Sequence, residues 1–181
     1  MSWLEQYRAL ARYNLWMNDR VYGLLAKLED EERKRDRGAF FGSIHGTLNH
    51  ILLGDRAWLG RLTGDPERFQ SRDAQGEAIA VTSLGQELYA DFRDLTRERA
   101  VTDADLLTYV NQLEERSLSD VITYRLMSGG MTGSCPRWWA LTQLLNHETH
   151  HRGQVTTLMM QSGIDPGPTD FFRMMRDEDQ R

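Results

Sequence analysis

The residues best suited to chemistry in this 181-residue chain are its five histidines, His45, His50, His147, His150 and His151. All five fall in two short segments. His147 and His151 are four positions apart, so on a helix about 40° separates them around the axis and one turn along it. Two imidazoles so placed can aim at one centre. The row Ala140, Leu144, Val155 and Leu158 passes through both, which predicts that they face a bundle interior. Buried imidazole nitrogens without partners cost a few kcal/mol, and either a metal ion or hydrogen bonds within the core would meet that need. His50 lies beside the apolar stripe of another predicted helix, with Gly46 and Gly54 one turn to either side. These small residues are expected to leave room for an ion and a ligand.

His50, His147 and His151 are thus the candidate metal ligands. His150 lies off the row, with Gln143, Asn146 and Thr157, and is expected at the surface or behind a ligand. His45, on the opposite flank of its stripe, is expected to cap the helix or face solvent. Three neutral imidazoles with open coordination positions form a catalytic type of site. Imidazole nitrogen suits zinc, nickel, copper or iron, and spacing does not choose among them. His147-Glu148-Thr149-His150-His151 also matches the H-E-x-x-H helix of zinc peptidases. Arg152-Gly153-Gln154 stands where a glycine and third histidine would follow, Glu178 falls in a polar tail, and no strand pattern offers a peptide a sheet. A peptidase is therefore not the expectation.

The elements that must position these residues follow from periodicity. A first helix spans about Trp3 to Leu28, with Trp3, Tyr7, Leu10, Asn14, Met17, Val21, Leu24 and Leu28 on one face. Glu29 to Gly38 reads as a loop. A second helix starts at the N-cap Ser43 and runs to about Leu62 on the stripe Ile44, Leu48, Ile51, Asp55, Trp58 and Leu62, and Gly64-Asp65-Pro66 ends it. A third is expected from Thr82-Ser83, with Gln86 in capping-box spacing and Leu84, Leu88, Phe92 and Leu95 buried, to about Ala100. Val121 to Tyr124 has strand propensity, and Ser128-Gly129-Gly130 and Thr132-Gly133-Ser134 are turn chemistry, so a short hairpin is predicted there. Pro136 opens the last long helix, which Gly163 and Pro166-Gly167-Pro168 close. The reading is all-α: a single domain over residues 1–181, a four-helix bundle with a long crossover before its last helix.

Composition excludes several functions. A net charge of −5 and a pI near 5.5 argue against a nucleic-acid grip. The densest basic group, Arg33-Lys34-Arg35 with Arg37, is interleaved with acids and reads as a solvated loop. No apolar run spans a bilayer. Met1-Ser2-Trp3-Leu4-Glu5 lacks the pattern of a signal peptide. The single Cys135 permits no intrachain disulfide, which fits the cytoplasm, and it has no activating neighbour in sequence.

Tyr13-Asn14-x-Trp16-x-Asn18, Ile44-His45-Gly46-Thr47-Leu48-Asn49-His50-Ile51, Asn146-His147-Glu148-Thr149-His150-His151-Arg152-Gly153-Gln154 and the Gly163-Ile164-Asp165-Pro166-Gly167 … Asp170 tail resemble the DinB/YfiT-like family of metalloenzymes. The resemblance runs in order along essentially the whole chain. It implies a four-helix bundle, usually homodimeric, with nickel or zinc held by His50, His147 and His151. It also implies activities that use low-molecular-weight thiols, such as bacillithiol transfer or mycothiol-dependent maleylpyruvate isomerisation. In that chemistry a metal lowers the pKa of a small thiol beside an electrophile. Arg152 is a candidate for anchoring a substrate carboxylate through its guanidinium fork, with an exposed helix position or an ion pair as the alternative. Glu148 is open between orienting a ligand, accepting a proton and a structural role. Metal-dependent hydrolysis needs the same ligands, and a non-catalytic metal-binding stress protein is the remaining alternative.

Overall fold

The computed structural model describes residues 2–125 and 131–179. The Ser128-Gly129-Gly130 turn expected from sequence lies outside them. Helix α1, Trp3–Leu25, opens with a capping box in which Ser2 accepts from the Glu5 amide and Glu5 accepts from the Ser2 amide. It stops short of the predicted Leu28. The polar stretch expected as a loop instead contains a short helix, α2 (Asp30–Lys34). From it Arg33 reaches back to the Leu25 and Leu28 carbonyls. It therefore satisfies acceptors that the end of α1 leaves open.

Helix α3, Ile44–Thr63, begins where expected: Ser43 Oγ accepts from the Gly46 amide at 3.0 Å. It ends on Gly64, whose φ of 75° is the left-handed conformation that glycine adopts without strain. The third long helix departs from the sequence reading. Helix α4 spans Phe92–Gln112, with Asp91 as its N-cap, so Thr82–Asp91 precedes it and it runs well past Ala100. Leu84 is exposed. Gln86 bonds the Thr82 amide and the Ala80 carbonyl within its own loop. Leu88 and Tyr89 are buried without being helical, because Asn49 Oδ1 on α3 accepts both their amides at 2.9 Å. The i, i+4 apolar spacing there came from a loop stitched onto α3.

After α4 come a 3₁₀ turn, Glu115–Ser119, and the expected hairpin. Strands β1 (Val121–Arg125) and β2 (Thr132–Pro136) are antiparallel, with Ile122 opposite Cys135. Thr132-Gly133-Ser134, predicted as turn, is strand. Helix α5, Arg137–Gln161, follows Pro136 and closes at Gly163 with φ of 77°. The polar tail forms a further helix, α6 (Phe171–Asp179). It rests on α1 through Phe171 against Tyr13 and Glu178 against Arg12. The fold is thus all-α apart from the small hairpin. No helix of the described residues is long and apolar enough to cross a membrane.

Around the bundle the order is α1, α4, α3, α5: α3 packs on α4 and α5, and α1 packs on the same two. The core has two apolar layers. One, toward the hairpin, includes Leu4, Tyr7, Ala11, Leu59, Leu62, Leu106, Val110, Leu141 and Leu144. The other includes Met17, Val21, Leu25, Ile44, Leu48, Ile51, Leu95, Val155 and Leu158. Between them along every long helix lies a buried polar belt: Asn14 and Asn18 on α1, Asp55 on α3, Arg99 and Asp103 on α4, Glu148 and Arg152 on α5. The histidines of α5 flank that belt.

Candidate metal centre

Packing of α3 on α5 brings His50, His147 and His151 together. Ring centroids are 4.9 Å apart for His50 and His147, 4.6 Å for His50 and His151, and 4.4 Å for His147 and His151. One ring nitrogen from each lies within 4.8 Å of the other two. The Nε2 atoms of His50 and His147 face each other at 3.0 Å. The two glycines act differently from the sequence expectation. A Cβ on Gly54 would sit 2.5 Å from His147 Cε1, and one on Gly46 would sit 2.3 Å from the Phe41 carbonyl oxygen. Gly54 admits the His147 ring itself, and Gly46 admits the chain that leads into α3.

Two of the three rings are oriented from behind. His50 Nδ1 lies 2.8 Å from the Leu84 carbonyl oxygen. A carbonyl only accepts, so Nδ1 carries the hydrogen and Nε2 presents its lone pair to the centre. His151 Nδ1 is held likewise by Gln154 Oε1 at 2.8 Å. Such partners fix tautomer and ring direction in metal sites. Phe41 stacks on the His50 ring at 3.8 Å between centroids. His147 Nδ1 is buried and has no hydrogen-bond partner within the protein; its ring is held by contact with Gly54.

Burial disfavours the charged form of all three imidazoles. His147 is pushed lowest, to about 4, by burial and then by its neighbours His151 and His50. Three neutral rings with convergent nitrogens form the donor set a borderline divalent cation takes. The residues present therefore fit a metal ion.

The remaining candidates fall into place by burial. His150 is exposed, with Nε2 near Gln154 Nε2, and stays out of the trio. His45 contradicts the surface expectation: it is fully buried, and its Nε2 meets the Tyr89 carbonyl at 2.8 Å. The loop that covers α3 turned a flank position into an interior one. Glu148 is 0 % exposed. Its Oε1 accepts from Asn14 at 3.1 Å, Asn18 at 3.4 Å and Arg99 at 3.1 Å, and its Oε2 from Arg152 at 2.7 Å. Both oxygens are spent in the belt, so Glu148 is not placed as the general base of a peptidase helix. Of the roles open to Arg152, the exposed position is excluded and the ion pair is present, because its guanidinium is buried between Glu148 and Asn14. Cys135 is buried in β2.

Sequence reasoning missed Leu84, Gln154 and Phe41 as supports of the trio. Gln154 sits three residues after His151, a spacing that would have suggested it. A backbone carbonyl carries no such signal. The sequence profile of the DinB family matches residues 1–181. The chain belongs to the DinB family. Among curated proteins it is similar to Protein DinB of Bacillus subtilis (strain 168), at 25% identity over 162 residues, covering 90% of this chain and 89% of that protein.

Proposed function

We propose that this DinB-family protein is a divalent-metal-dependent enzyme of the low-molecular-weight-thiol transferase or isomerase kind, with nickel or zinc held by His50, His147 and His151. The observation that carries the reading is the donor set: three neutral, convergent imidazole nitrogens and no fourth protein ligand among the described residues. Fewer protein ligands than a closed site needs is the mark of a centre that takes substrate. When bound there, a divalent cation supplies Lewis acidity, which lowers the pKa of a small thiol or water.

The chain's own residues have distinct parts in this reading. Leu84 and Gln154 keep Nδ1 of His50 and His151 protonated, so that Nε2 remains a donor. Phe41 covers one face of His50 and limits water on that side.

The experiment is turnover by metal-loaded protein with bacillithiol, mycothiol or glutathione and the electrophile monochlorobimane. Thiol conjugation that chelator abolishes and added metal restores is the expected result. Metal-dependent hydrolysis without added thiol would move the assignment to a hydrolase. Absence of metal-dependent turnover with every thiol would remove the transferase reading.

A further inference from the structure

The belt between the two apolar layers has no part in binding metal, yet it joins the two helices that do. Arg99 Nη1 donates to Asp55 at 2.5 Å and to Glu148 at 3.1 Å. Asp55 is on α3, five residues after His50; Glu148 is on α5, between His147 and His151. Arg99 Nη2 lies 2.9 Å from Asp103, whose carboxylate accepts from Asn14 and Asn18 of α1. Arg152, adjacent to His151, closes the set onto Glu148 and Asn14. All seven side chains are buried, and the four long helices are each represented.

A buried cluster of this kind is a costly way to hold a fold. Well-packed apolar residues of similar volume often serve stability as well or better. Here the cost is visible, since Arg99 Nε and Nη2 and Asp55 Oδ1 make no hydrogen bond. What apolar packing does not supply is a fixed register. Apolar contacts are non-directional, whereas a guanidinium bonded at once to two carboxylates on different helices fixes their relative alignment. His50 faces His147 across that same α3–α5 seam, with nitrogens 3.0 Å apart. A slip of one side chain's width would open the donor set.

We propose that the Arg99-centred belt is the positioning element of the metal centre: it locks α3 against α5 so that His50 meets His147 and His151 at ligand distance. The inference rests on the metal reading of the trio. Arg99, Asp55, Glu148 and Asn14 are positioning residues, since none offers an atom to the ion. Burial, then the charge of Glu148, push the Asp55 carboxyl well above the usual range.

The test measures Zn(II) dissociation constants by chelator competition and Co(II) visible absorption, with thermal melts of the metal-free protein alongside. The variants are Arg99→Lys, Asn14→Ala and Arg137→Met. Lysine keeps the charge at position 99 but not the fork. Asn14→Ala removes one neutral member and leaves every charge of the belt in place, and the melts report whether it folds. Arg137 is the control. From α5 it bonds the Leu62 carbonyl of α3 at 3.2 Å and the Tyr109 hydroxyl of α4 at 2.6 Å, at the hairpin end of the bundle.

Arg99→Lys and Asn14→Ala are expected to weaken Zn(II) binding roughly tenfold or more and to shift the Co(II) spectrum, as loss of groups behind metal ligands does. Arg137→Met is expected to lower the melting temperature while leaving the dissociation constant within about twofold. The proposal is overturned if Asn14→Ala binds both ions as the parent does, or if Arg137→Met weakens binding by the same factor as the belt variants. Failure of the parent protein to bind either ion would instead remove the metal reading itself.

Discussion

Two polar clusters sit at one level of this bundle, and they differ in nearly every physical respect. The belt around Arg99 is charged and sealed, and it has paired each carboxylate with a cation or an amide. The histidine trio is neutral and joins only α3 and α5, and its convergent nitrogens face each other rather than a protein partner. Sealing the first makes it a fixed reference. On the proposed reading, a trio short of protein ligands would let a bound ion exchange its remaining ones.

The largest effect that would break the comparison lies in the belt. Arg99→Ala leaves Asp55, Asp103 and Glu148 buried without their shared cation, and is expected to cost about 3–5 kcal/mol in urea unfolding. A loss below about 1 kcal/mol would mean that the belt is not sealed. At the junction of the two clusters, Gly54→Ala places a methyl group against the His147 ring. The expected cost is about 1–3 kcal/mol, with weaker metal uptake measured by calorimetric titration. Unchanged uptake would show that the His147 ring is free to move.

The smallest effect separates the clusters by pH. In the metal-free protein the imidazoles of His50, His147 and His151 resist protonation that the unfolded chain accepts. Stability is therefore full above about 6.5, the ordinary imidazole value, and lost as pH falls toward the His147 value of about 4. Thermal melts across that window check the slope. With Zn(II) bound the slope should persist to lower pH, because the metal keeps protons off the folded nitrogens while the unfolded chain still takes them.

The trio was legible because its signal is local: a four-residue spacing on one helix and a histidine beside the stripe of another. Asn14 and Asp55 stood in apolar stripes from the start, which in retrospect marks the belt. The rest was hidden by long-range pairing. Helix α4 continues past Ala100 with Arg99, Thr102 and Asp103 facing inward, so its buried face does not read as apolar. Its apparent start at Ser83 came from Leu88, whose amide is satisfied by Asn49, some forty residues earlier. His45 became interior by the same route, through a loop carbonyl that no period encodes. Local chemistry is written in spacing; the partners of buried polar groups are written in the fold.

The most direct test of the account is the metal content of the purified protein by elemental analysis, set beside that of His147→Ala. The account predicts about one divalent ion per chain in the parent, the stoichiometry of a single three-histidine centre. It predicts near-complete loss in the variant, with the helical circular dichroism spectrum retained. An unchanged ratio of metal to protein in His147→Ala would contradict it.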